Sequence, residues 1–91
     1  MARRPAPQRL AEKLFAIRTA LGLSQTGIVE RLDYRDSPLY AAQISNFEQG
    51  KREPPLQLLL AYARLANIPL EILADDKLDL PAALPARTKR S

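Results

Sequence analysis

Residues able to do chemistry are few here and of a restricted kind. The chain has neither histidine nor cysteine. That removes the commonest metal ligand, the commonest general base near neutral pH, any thiolate nucleophile and any disulfide. No pair of carboxylates is patterned for acid–base work. What remains is hydrogen-bonding chemistry without bond breaking, concentrated in "AAQISNFEQG", residues 41–50. There Ala41, Ala42, Ser45 and Asn46 are interleaved with Ile44 and Phe47. On a helix Ile44 and Phe47 share one face, so the short residues project from the other. The expectation is a binding protein that is not an enzyme and needs no metal and no cofactor.

The elements that must position this stretch follow from spacing. Leu10, Leu14, Ile17 and Leu21 lie on one side of a first helix that begins near Gln8. Gly22 suits the position just past its C-terminus. Ser24 is a good N-cap for a second helix with Ile28, Val29 and Leu32 turned inward, although Gly27 replaces the glutamate of a full capping box. Ser37-Pro38 reads as N-cap followed by N1 of a third helix, which carries Ile44 and Phe47 and ends at Gly50. Prolines after "KRE" open a fourth, strongly apolar helix with Leu56, Leu59, Leu60, Ala63 and Leu65 or Ala66. "PLEILAD" gives a short fifth. Helix packing around a single core is the architecture such elements allow.

Composition agrees. Apolar residues make up 46% of the 91 and aromatic residues 5%, so the core is aliphatic and the class all-α. "MARRPAPQRL" has no apolar stretch behind its basic residues and does not read as a signal peptide. "LLLAYA" is too short to cross a bilayer, so a cytoplasmic location without membrane contact is expected. The net charge of +4 suits a polyanion, but residues 8–74 hold eight basic and seven acidic side chains, leaving most of the excess at the ends. Residues 1–7 read as a flexible basic arm, 8–74 as the domain, and 75–91 as a partly disordered tail.

Three segments in order carry a resemblance. "LGLSQ" at 21–25, "ISNFEQGKREP" at 44–54 and "LLLAYARLANIPLEIL" at 58–73 resemble the phage-repressor and Cro class of helix-turn-helix proteins, the XRE family. The resemblance covers roughly residues 9–74. It implies a five-helix lambda-repressor-like domain whose second and third helices form the reading unit. It also implies sequence-specific binding of double-stranded DNA in transcription control, as a repressor acting on a palindromic operator as a homodimer.

Residue types fit that implication. A helix in the major groove needs short or chosen polar side chains so that its backbone approaches base edges. Ala41, Ala42, Ser45 and Asn46 become base contacts, with Asn46 suited to adenine and the alanine methyls to thymine methyls. The alternative for them is a neutral surface of good helix formers. By resemblance, Gln43 and Gln25 reach phosphates, Gln25 at a helix N-terminus that favours an anion. Lys51 and Arg52 look like further phosphate contacts, and Arg35 is an open candidate; solvated surface charge is the alternative for all three. The resemblance also pairs Arg18 with Glu48, a structural tie that fixes the third helix's angle.

One stretch departs from the family. The spacing from Leu32 to Glu48 is several residues longer, which predicts both an enlarged connection at "DYRDS" and a third helix beginning at Pro38. Tyr40 is expected to pack on Phe47 or Ile44, with contact to DNA the other option for it, for Tyr34 and for Arg35. The arm "MARR" and the end "ARTKRS" could follow DNA or simply be solvated. Helix five with Leu78–Leu84 is the expected dimer contact. Two rivals remain. One is an antitoxin with the same fold, whose tail folds on a toxin. The other is a protein–protein adaptor without a DNA role.

Overall fold

A computed structural model describes residues 8–85. Five helices and no strand appear among them: α1 (Leu10–Ala20), α2 (Gln25–Leu32), α3 (Ala41–Glu48), α4 (Leu56–Ala66) and α5 (Leu70–Ala74). The expected basic arm and basic end lie outside the described residues. No described helix is long and apolar enough to cross a membrane.

Helix ends follow local chemistry. Gly22 adopts φ +71°, and Leu23 N–H reaches Arg18 O while Gly22 N–H reaches Thr19 O. Gly50 repeats this at φ +75°, with Lys51 N–H on Asn46 O. Both left-handed turns reclaim carbonyls that a helix end leaves unpaired. The Ser24 hydroxyl accepts from Gly27 N–H at 2.9 Å and so starts α2.

The core takes Leu10, Leu14 and Ile17 from α1, Ile28 and Leu32 from α2, and Ile44 and Phe47 from α3. From α4 it takes Leu58, Leu59, Tyr62, Ala63 and Ala66, an i, i+1, i+4, i+5, i+8 stripe. That stripe is rotated from the expected one: Leu58 and Tyr62 are in, and Leu56 is out. Lys13 is also buried, at 2% exposure. Its ammonium donates to Ile72 O at 2.7 Å and Asp75 O at 3.0 Å, satisfying carbonyls at the end of α5.

The expected helix start at Pro38 is incorrect. Residues 33–40 are non-helical and α3 begins at Ala41 with Tyr40 as N-cap, so the extra residues lengthen the connection alone. The reason is packing. Continued backward, α3 would place Tyr40 on the Ile44–Phe47 face and Leu39 on the outer side. The extended backbone at Tyr40 (φ −128°, ψ 157°) exchanges them. Leu39 and Tyr34 turn toward the core, and Tyr40, expected to pack on Phe47 or Ile44, is instead 63% exposed.

The segment after α5 is not a free tail up to residue 85. The Asp76 carboxylate accepts from Gln8 N–H at 2.7 Å and Arg9 N–H at 3.0 Å. It thereby caps α1, whose own N-cap residue, Arg9, offers no side-chain acceptor. Arg9 pairs in turn with Asp79 at 2.8 Å. Leu80 and Leu84 pack against the core, and Leu78 stays exposed. A domain boundary at residue 74 would cut through these contacts.

Candidate nucleic-acid interface

The floor of the site is the inner side of α3. Ile44 and Phe47 are buried against the rest of the core, each contributing roughly 2 kcal/mol of apolar transfer. That burial leaves the opposite side of α3 to Ala41, Ala42, Ser45 and Asn46, all exposed or partly exposed. None of the four carries charge or length, so the backbone of α3 lies close to the molecular surface.

Two devices fix the ends of α3, and neither uses the short residues. At its C-terminus, Glu48 is 5% exposed and meets Arg18 in two parallel bonds, Nε to Oε2 at 2.6 Å and Nη2 to Oε1 at 2.9 Å. The hydrogen bond to Glu48 raises the Arg18 pKa further, keeping the guanidinium charged. Its remaining arm donates to Leu23 O at 2.9 Å, and its Cζ lies 5.4 Å from the Phe15 ring centre. One side chain therefore joins the end of α1, the turn into α2 and the end of α3. At the N-terminus, the Gln43 carboxamide oxygen accepts from Tyr40 N–H at 2.8 Å, half of a capping box.

The phosphate candidates are distributed unevenly. Gln25 stands at the first position of α2, with its side chain donating to Glu48 Oε1 at 3.3 Å. Gln43 spends its oxygen on Tyr40 but retains both amide donors. Gln43, Asn46 and Arg52 line one groove of about 220 Å³ beside Phe47, Glu53 and Pro55. Lys51 and Arg52 are exposed immediately past α3. Arg35 is elsewhere. It binds Asp33 at 2.9 Å on the exposed connection and borders a cleft of about 540 Å³ with Arg31 and Arg64. The structure thus gathers Gln43, Asn46 and Arg52 and leaves Arg35 apart.

Hydrogen bonds already made define what the outer side still offers. The Ser45 hydroxyl accepts from Gln49 Nε2 at 2.6 Å, so its own O–H remains a donor. Asn46 makes no side-chain hydrogen bond within the described residues and retains a donor and an acceptor side by side. Gln49 was not anticipated, although its i+4 spacing from Ser45 was the available signal. Below the site, burial and then the Glu48 charge push the Tyr62 phenol well above its ordinary range, so it stays neutral. Its hydroxyl has no hydrogen-bond partner among the described residues.

Comparison with protein-family models, curated proteins and solved structures finds no match to this chain.

Proposed function

We propose that this chain is a sequence-specific double-stranded DNA-binding transcription regulator. It acts as a repressor on a palindromic operator, as a homodimer, with α3 in the major groove. The five helices are then a lambda-repressor-like domain of the XRE kind with an enlarged α2–α3 connection. One observation carries the reading. A helix whose outer side is built on Ala41, Ala42, Ser45 and Asn46, with no charged or large apolar residue among them, is fixed at both ends by contacts that leave those four side chains out. Such a surface suits close approach to base edges and is poorly suited to apolar docking.

Roles follow from the hydrogen bonds left open. Asn46, with both ends free, fits adenine N6 and N7. Ser45 donates to an acceptor such as purine N7. Gln43 donors, Lys51, Arg52 and the start of α2 at Gln25 take phosphates and set register. Within the expected dimer contact Leu78 is exposed, and Leu70, Ile72, Leu80 and Leu84 are only partly buried. The test is selection of bound sequences from random duplexes, followed by shift assays across salt. Enrichment of a two-fold symmetric site bound less tightly as salt rises is expected. Failure to enrich any duplex would refute the reading and favour a protein–protein adaptor.

A further inference from the structure

We propose that Tyr40 is a specificity residue, its ring contacting a thymine methyl in the major groove at the edge of the sequence read by α3. This rests on the DNA-binding reading above. Of the five aromatic side chains, Phe47 and Tyr62 are buried and Tyr34 is turned toward the core, while Phe15 lies beneath the Arg18 guanidinium. Tyr40 alone is a mostly exposed aromatic ring with no such contact, at 63%. A ring this exposed contributes little to the core, and tyrosine presents an apolar body suited to a partner surface.

The position is specified by the backbone. Tyr40 is the N-cap of α3, directly before Ala41 and Ala42. The exchange with Leu39 sends its ring away from the Ile44–Phe47 face. Gln43 holds its N–H at 2.8 Å, and Leu39 anchors the residue before it. The ring therefore projects from a fixed point at the leading end of the helix. In a groove-docked helix the N-terminal residues approach base edges. Beside two alanines, which reach little beyond their own methyls, a six-membered ring extends the read surface outward by about one base pair. Its apolar edge matches the thymine C5 methyl, the one apolar feature a base pair shows in that groove.

The test uses the full chain and the duplex it selects. Each thymine in the selected site is replaced singly by uracil, removing only the methyl, and affinities are measured for the parent, Tyr40→Phe and Tyr40→Ala. The parent and Tyr40→Phe are expected to lose roughly tenfold at one outer thymine, and Tyr40→Ala to lose nothing there. Unchanged melting of Tyr40→Ala would exclude misfolding as the cause. Equal uracil losses for parent and Tyr40→Ala at every position would overturn the contact while leaving DNA binding intact. A selected site whose affinity drops equally in Tyr40→Phe and Tyr40→Ala would place the contact on the hydroxyl and also overturn it. Selection of no duplex by the parent would remove both readings.

Discussion

Replacing Arg18 with methionine isolates the tie between α1 and α3. Methionine preserves much of the apolar stem and removes the guanidinium. Glu48, at 5% exposure, then loses both parallel bonds and retains only Gln25 at 3.3 Å. Leu23 O loses its donor as well. Breaking a buried pair from one side costs about 3–5 kcal/mol. The lower end applies, because Gln25 remains and Arg18, at 14% exposure, opens toward water. For a domain of this size about 3 kcal/mol corresponds to a fall of roughly 12–24 °C in Tm. Glu48→Leu should cost less, because the stranded guanidinium can turn to solvent and keep Leu23 O. The double variant Arg18→Met with Glu48→Leu should recover most of the loss, since apolar replacement of a whole buried pair is often neutral. Circular-dichroism melts of the four proteins give the coupling energy. A coupling below about 0.5 kcal/mol, or Glu48→Leu proving worse than Arg18→Met, would refute the assigned geometry. Under the proposed function, Arg18→Met should also weaken DNA binding well below its own Tm, because α3 loses its fixed tilt.

Tyr62→Phe should be neutral or stabilising by up to about 1 kcal/mol in denaturant titration, because the buried hydroxyl it removes has no partner among the described residues. Lys13→Met should destabilise by about 2 kcal/mol on the same scale despite adding an apolar side chain to the core, since Ile72 O and Asp75 O would lose their donor. Asp76 is held below the usual carboxylate range by the N–H groups of Gln8 and then Arg9. Its contribution is therefore complete above that range and disappears as pH falls through about 4 and below. Melts of wild type and Asp76→Asn should differ at neutral pH and converge in acid; a gap independent of pH would show that the cap carries no charge dependence.

Local rules were legible where a local residue satisfies them. Gly22, Gly50 and Ser24 act within a few residues of themselves, and Ile44 with Phe47 needs only helical spacing. Lys13 is legible in the same local way. With Leu10, Leu14 and Ile17 it completes an i, i+3, i+4, i+7 stripe, and only its charge argued against burial. Asp76 had no such signal, because the groups it caps are 67 and 68 residues away in sequence. The α3 start failed for a different reason. Ser37-Pro38 is a sound local cap, but the core needed Leu39 more than it needed Tyr40, and a preference for one side chain over another across a loop is decided by tertiary packing. At the site, spacing identified the outer side of α3. It could not show which hydrogen-bonding groups on that side were already occupied by Gln49 and Tyr40.

The near-neutral charge of residues 8–74 sets a further quantity. Arg18 is occupied by Glu48, Arg35 by Asp33, Arg9 by Glu12 and Asp79, and Lys13 by the end of α5. Arg31 and Arg64 border the cleft with Arg35, away from the groove that joins Asn46 to Arg52. Among the described residues, Lys51 and Arg52 are left as the cations adjoining the outer side of α3. Under the proposed function, two per protomer make about four neutralised phosphates for a dimer. These cations should contribute about −4 to the log–log salt slope, roughly two orders of magnitude between 50 and 200 mM. On the same reading, neutral contacts from Gln25 and Gln43 would position the duplex without adding to that slope. Lys51→Gln with Arg52→Gln should reduce the slope by about 4 while leaving the base preference of the selected site intact. A slope unchanged in that double variant would show that other cations carry the phosphate contacts, and that the groove beside α3 is not where the backbone of the duplex lies.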